Sequence, residues 1–208
     1  KEGRALNVTN MLIANGAERV INISASPWTY GKNSARDRKV EFLASDAEGK
    51  FVPFDYVNCT GMQNNGKNLI TFDGGTTSYN RQGLPVKLTT APFAEELLFV
   101  DEDEREGTPV IRTERPKIEQ KHDAIIYALR HLKDITNQED HPRVVIGLSG
   151  GIDSALSAAL CAEAFGEDNV FGINMPSRYN TSLTQEVARQ LARNLGIKYD
   201  VVPIEDLA

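Results

Sequence analysis

The chain has 208 residues, with 29 acidic and 23 basic side chains and a net charge of −6. It shows no basic stripe, so nucleic acid is not an expected partner. It also lacks a leader-like segment and any apolar run of membrane length, so no membrane partner is expected. Cys59 and Cys161 are the two cysteines. They have neither metal-ligand spacing nor a disulfide framework, and a reducing, cytoplasmic setting is expected. The first residue is Lys1, not Met, and the last lie just beyond an apolar strand, so a piece of a longer protein is expected.

Up to residue 100 the pattern is α/β. Strands are predicted at 20–23, 51–57 and 69–72, and a helix at 34–47 with Val40, Leu43 and Ala44 on one face. Gly74-Gly75 and Asn80-Arg81-Gln82-Gly83 are turn signals. The charged run 101–116 (DEDEREGTPVIRTERP) reads as an exposed linker rather than a metal site. An amphipathic helix is predicted over 117–135, with Ile118, Ala124, Ile125, Ala128, Leu129 and Leu132 apolar. Strand 144–148, helix 153–165, strand 170–175, helix 182–195 and strand 199–202 then alternate. Ser182 with Gln185 forms a plausible capping box, and Gly196 suits a helix C-terminus. Apolar strands alternating with helices predict a doubly wound parallel sheet, whose ligands bind beyond the strand carboxyl ends. The expected domains are therefore 1–100, a linker 101–116, and 117–208.

The chemistry concentrates at residues 144–154 (VVIGLSGGIDS), where a β-branched strand runs through glycines into a helix. Glycines let backbone N–H groups converge, the helix N-terminus adds its positive dipole end, and Ser149 and Ser154 add hydroxyl donors. The product is a cradle for a phosphate or pyrophosphate. It is not a Walker A loop, which ends in Lys-Ser/Thr, nor a dinucleotide G-x-G-x-x-G. The ordinary alternative is a glycine turn that merely joins strand to helix. MPSR at 175–178 lies at the end of the next strand, within reach of the same ligand.

The string SGGIDS resembles the S-G-G-x-D-S motif of the PP-loop ATP pyrophosphatases. With MPSRYNTSLTQ and ARQLARNLGIKYDVVPI, the second part is similar to the synthetase domain of NAD synthetases. The first part resembles the nitrilase-like glutaminase domain fused to the glutamine-dependent form, through GAERVINISASPWTYGK, YVNCTG and FDGGTTSYNRQG. The resemblance implies the C-terminal part of a nitrilase-like α/β/β/α amidase domain followed by the first half of an adenine nucleotide α hydrolase-like PP-loop domain. It further implies amidation of deamido-NAD to NAD through an adenylated intermediate, with ATP and Mg²⁺ used and ammonia drawn from glutamine. A homo-oligomer is implied for the intact protein.

Carried residue by residue, the resemblance implies that Gly147, Leu148, Ser149, Gly150, Gly151, Ile152, Asp153 and Ser154 bind ATP, with Ser149 critical to the transfer. Asp153 would ligate Mg²⁺; its alternative is a helix N-cap. Met175, Ser177 and Arg178 would lie near the nucleotide, against readings of strand-end packing for Met175 and a solvated charge for Arg178. Ser26 and Lys32 would contact glutamine; the alternative for Ser26 is a turn hydroxyl before Pro27. Arg36 and Arg38 read as surface charges or ion-pair partners, and His122, His131 and His141 as solvated or helix-face side chains. The Glu, Lys and Cys that such an amidase needs do not appear at matching positions, and Cys59 and Cys161 read as small packing residues, so this stretch alone is expected to be inactive. Two other readings remain: another PP-loop adenylating amidotransferase, or a non-catalytic ATP-binding module.

Overall fold

The computed structural model describes residues 7–64, 66–105, 107–132 and 143–205. Contacts divide the chain into two compact units, Lys1–Ala124 and Ile125–Ala208. Both are α/β, and the strand pairings are mixed in the first and parallel in the second.

In the first unit the order is α1 (Val8–Ala14), β1 (Val20–Ser24), α2 (Lys32–Asp46), β2 (Phe54–Asn58), β3 (Thr60–Asn64), β4 (Leu69–Asp73), β5 (Thr77–Tyr79), β6 (Pro85–Leu88) and α3 (Glu102–Arg105). Helix α4 (Lys117–Arg130) crosses the division between the units. Strands β1, β2, β5 and β6 form one sheet in that order, and β3 and β4 form a separate hairpin. The core gathers Val20, Phe51, Val52, Phe54, Tyr56 and Tyr79 with Val40 and Ala44 of α2, the face expected for that helix. Gly83 lies so close to α2 that a Cβ there would come within 2.7 Å of the Val40 carbonyl oxygen. The predicted strand 51–57 enters the ladder only at Phe54. Pro53 has no N–H to donate, and its carbonyl instead accepts from Val20. Helix α1 and strands β3, β5 and β6 have no counterpart among the predicted elements.

The charged run is exposed along almost all of its described length, as expected, but it is also fastened to the first unit. Glu104 of α3 accepts two bonds from Lys87 of β6, at 2.7 and 2.9 Å, and Glu102 pairs with Arg19. Val110 donates its backbone N–H to the Pro85 carbonyl at 2.7 Å. Arg112 pairs with Asp37 at 2.8 Å, with side chains only 13% and 16% exposed. Charge density gave the exposure correctly but not these bonds, because the partners on β6 and α2 are distant in sequence. Helix α4 presents the expected face only in part: Ala124 is buried as expected, but Ile118 and Ile125 are exposed and Ile126 is buried instead. Positions 133–135 of the predicted helix lie outside the described residues.

In the second unit β7 (Val144–Gly147), α5 (Ile152–Phe165), β8 (Val170–Asn174), α6 (Ser182–Leu195) and β9 (Lys198–Val201) follow in order. The three strands pair in parallel as β7-β8-β9. Ala158 of α5 and Ala188 and Ala192 of α6 share one buried cluster with Leu148, Val170 and Ile197. Both connecting helices therefore cover one face, and Val145 on the other is 63% exposed. The parallel sheet is as expected, but the double winding is not seen among the described residues. Strands added in sequential order bring their crossovers back over the same face, because each crossover takes the same hand. All three carboxyl ends lie at one edge, where the ladder continues through bonds from Leu148 N to Ile173 O and from Val202 N to Asn174 O, each 2.8 Å.

Candidate functional site

The loop at the carboxyl end of β7 is built by backbone geometry that only glycine allows. Gly150 has φ +83°, and a Cβ there would stand 2.2 Å from the Thr184 carbonyl oxygen in the first turn of α6. Gly151 is the N-cap of α5 in extended conformation. The first helical bond runs from Ala155 N to Gly151 O, so the N–H groups of Ile152, Asp153 and Ser154 have no acceptor within the helix. Their orientation along the axis makes an anion site.

The two serines complete the loop. Their hydroxyl oxygens are 3.1 Å apart; Ser149 N donates to Ser154 Oγ, and Gly151 N to Ser149 Oγ, both at 3.3 Å. Ser154 Oγ donates to the Gly151 carbonyl at 3.0 Å. These long bonds leave hydroxyls that can turn toward a phosphate oxygen. Asp153 follows the N-cap by two positions, so the alternative of Asp153 as N-cap is not what the structure has. Its carboxylate has no hydrogen-bond or ion-pair partner among the described residues. No group of three or more His, Cys, Asp or Glu side chains that could hold a metal occurs among the described residues, so a cation here would take Asp153 and ligand oxygens.

Beneath the loop Leu148 is buried to 1% exposure, worth ~2 kcal/mol of apolar transfer. It fills the space where Gly172 has no side chain: a Cβ there would be 2.5 Å from Leu148 Cδ1. Asn174, buried at the end of β8, donates its amide to the Leu148 carbonyl, and its own Oδ1 has no partner among the described residues. Sequence reasoning missed Asn174; its single hint was a polar residue in the apolar run VFGINM.

Met175 is half exposed, and its methyl carbon would lie 3.3 Å from a Cβ at Gly147, so Met175 flanks the loop. Ser177 donates from both its N–H and its hydroxyl to Asn180 Oδ1, at 2.8 and 3.1 Å. Arg178 is no lone solvated charge: its Nε pairs with Glu205 at 2.6 Å, and its N–H donates to the same carboxylate at 2.7 Å. The N-cap of α6 is Thr181, whose hydroxyl accepts from Thr184 N at 3.3 Å; the capping box expected at Ser182 therefore begins one residue earlier and lacks its Gln partner. Gly196 ends this helix at φ +71°, as expected.

The first unit holds the other candidate residues. A cavity of 430 Å³ is lined in part by Trp28, Lys32, Asn33, Asp73, Phe93 and Arg112. Lys32 Nζ donates to the Pro27 carbonyl at 2.8 Å. Ser26 does not line this cavity; its backbone is held on both sides by Asn58, N–H to Oδ1 at 2.8 Å and Nδ2 to carbonyl at 3.1 Å. Asn58, buried, also donates to Gly74 O at 2.8 Å, which ties the turn after β4 to the Ser26 strand end. Arg36 departs from the expected surface charge: its guanidinium stacks 3.7 Å from the Tyr56 ring centroid and donates to Asn33 at 2.6 Å. Arg38 is exposed.

Burial pushes the thiols of Cys59 and Cys161 above their ordinary range, so neither is an activated nucleophile. Both are partly buried rather than core residues. His131 Nδ1 lies 2.9 Å from the Tyr127 carbonyl one turn earlier, and His122 sits beside Asp123 at 3.4 Å. His141 is outside the described residues. No described helix is long and apolar enough to cross a membrane.

Three comparisons give these arrangements relatives. Residues 125–208 match the family model of NAD synthase. Glutamine-dependent NAD(+) synthetases of Xanthomonas campestris pv. campestris and Synechocystis sp. are 34% and 35% identical over 91% and 93% of this chain. The chain spans 33% of the length of each of these curated relatives. A solved glutamine-dependent NAD+ synthetase from Acinetobacter baumannii, in complex with ADP, aligns with 97% of this chain and 37% of its own, at TM-score 0.75 and 27% identity. Over most of its length the chain is thus similar to glutamine-dependent NAD(+) synthetases, and residues 125–208 match the NAD synthase family.

Proposed function

We propose that the full-length protein carrying this chain converts deamido-NAD to NAD, using ATP and the amide nitrogen of glutamine and releasing AMP, pyrophosphate and glutamate. In this reading, residues 1–100 belong to a nitrilase-like glutaminase domain, 101–116 to a connector, and 117–208 to the first half of a PP-loop synthetase domain. The observation that carries the reading is the loop at 148–154, where two serine hydroxyls 3.1 Å apart sit over three unpaired N–H groups of a helix N-terminus. The ADP complex of the Acinetobacter baumannii relative supports the use of an adenine nucleotide.

The chemistry fits these groups. A carboxylate is a poor acyl donor because its leaving group would be oxide. A carboxylate oxygen of the nicotinate therefore attacks the α-phosphorus of ATP, and the bond to the β-phosphate bridging oxygen breaks. Charge gathers on the departing pyrophosphate, where the N–H groups of residues 152–154, Ser149 and Ser154 stand ready without reorganisation. Ammonia then attacks the carbonyl, AMP leaves, and the amide remains. Gly147 and Leu148 frame the loop, and Met175, Ser177 and Arg178 border the nucleotide. Asp153, unpaired beside this cradle, fits a Mg²⁺ ligand. A bound Mg²⁺ would supply charge neutralisation at the phosphates. In the first unit, Lys32 holds the glutamine in its cavity; Ser26, outside that cavity, is not given that role. The expected assembly is a cytoplasmic homo-oligomer.

The test supplies the full-length protein with ATP, Mg²⁺, deamido-NAD and glutamine labelled with nitrogen-15 at the amide. Mass spectrometry should find the label in NAD, with AMP and pyrophosphate formed in equal amounts. AMP without labelled NAD would indicate another PP-loop amidotransferase, and ATP bound but uncleaved would indicate a binding module.

A further inference from the structure

The segment 110–115, which lies in the charged run, forms one wall of the cavity that contains Lys32. Alternate residues of this strap fasten it to α2. Arg112 binds Asp37 through two nitrogens, Nε to Oδ2 at 2.8 Å and Nη2 to Oδ1 at 3.2 Å, and Nη2 also donates to Thr77 Oγ1 at 2.8 Å. Tyr79, fully buried on β5, donates its hydroxyl to Asp37 Oδ1 at 2.7 Å. Two residues on, Glu114 accepts from Ser34 of α2 and, at 3.3 Å, from Gln120 of α4. The strap thus bonds α2 at positions 34 and 37, one turn from Lys32, which opens the helix. Thr77 and Tyr79 anchor the far side of the clamp in the sheet.

A bidentate guanidinium–carboxylate pair fixes direction as well as distance, and removing one member leaves the other charge uncompensated in a poorly solvated place. The cavity behind it has the two charges an amino acid requires, the Lys32 ammonium and the Asp73 carboxylate, with Trp28 and Phe93 rings 6.4 Å apart as apolar wall. We infer that Arg112 is a positioning residue for glutamine use: clamped to Asp37 and Thr77, it holds the strap as a wall of the Lys32 cavity and sets where α2 presents Lys32. This rests on the reading of Lys32 as a glutamine contact.

The test uses the full-length protein and compares NAD formation supported by glutamine with that supported by ammonium chloride. Arg112→Ala should raise the KM for glutamine by roughly tenfold or more, as expected when a reacting group is displaced by about an ångström. Ammonia-supported formation should stay within about twofold, since it needs no glutamine site. Millimolar guanidinium chloride, which fits the vacated space, should restore glutamine-supported activity where equal sodium chloride does not. Ser34→Ala, which loosens the strap at its other bond, should raise the same KM by a smaller factor. An unchanged glutamine KM, a parallel fall of both activities, or a glutamine defect that guanidinium leaves untouched would overturn the inference. Absence of NAD formation by the unaltered protein with either nitrogen source would instead defeat the proposed function, so the two failures are distinct.

Discussion

Ser149 and Asp153 have different neighbours, and their variants should fail for different reasons. Ser149 shares its hydroxyl with Ser154 and Gly151, so Ser149→Ala removes a donor from the cradle and loosens the loop. The Asp153 carboxylate has no partner among the described residues, so Asp153→Ala should leave the loop intact and remove only charge. In the full-length protein both should lose AMP formation by roughly a hundredfold or more while glutamine hydrolysis persists, measured by AMP and glutamate release. Gly150→Ala is the sharper backbone test. Positive φ and the 2.2 Å approach to Thr184 leave no room for a methyl group. Straining or displacing the loop should cost about 1–3 kcal/mol and abolish AMP release, whereas Gly151→Ala, at ordinary φ, should be milder. Cys59 provides a pH test. With its thiol pushed above the usual 9.0 by burial, alkylation should be slow at pH 8 and rise only at more alkaline pH than for a free thiol. Fast labelling near neutrality, or loss of glutamine hydrolysis in Cys59→Ala, would contradict its role as packing. The loop residues were legible in the string SGGIDS because their work is done by backbone conformation within a few residues. Asn174 and Arg112 were not, because their partners, Leu148 and Asp37, are distant in the chain.

At the scale of elements, α2, α5, α6 and β1, β7 and β8 lie close to where periodicity placed them, and α2, α6 and β8 bury a face against a local core, while Ile21 and Ile23 of β1 and Val145 of β7 stay exposed. The shorter elements β3, β5 and β6 depend on pairing partners, Asp73 to Thr60 and Thr77 to Leu88 among them, which a single sequence does not declare. The cap of α6 separates two readings by experiment. Thr181→Ala should expose the first turn and cost about 0.5–2 kcal/mol locally, whereas Ser182→Ala should cost little. Hydrogen exchange of the amides at 182–185 in the full-length protein would read this, and equal effects from the two variants would return the cap to Ser182. Since Gly150 lies against Thr184, fraying of this turn should also weaken ATP use.

For the whole molecule, two units with separate cores predict separable defects. Lys32 lies in the first unit, so Lys32→Ala should depress glutamine-supported NAD formation by roughly tenfold or more while ammonia-supported formation continues. Mass spectrometry of NAD with each nitrogen source distinguishes this from general inactivation, in which both rates fall together. The charged run joins the first unit through Glu102, Glu104, Val110 and Arg112, and this changes what a truncation there would do. Cutting before residue 110 should destabilise the first unit, by leaving Asp37 and Tyr79 with an uncompensated buried carboxylate, rather than simply free a tether.

By itself, the sequence determined the glycine loop, the strand and helix that hold it, and the likeness to NAD synthetases. These depend on φ angles, helix termini and periodicity, all set by residues within a turn or two of one another. Only the tertiary structure decided which face of the second sheet both helices cover, that Arg36 stacks on Tyr56, and that Arg112 and Glu114 turn a charged run into a cavity wall. Those outcomes follow from long-range pairing. A charge reads as solvated until a partner dozens of residues away lowers the cost of its burial.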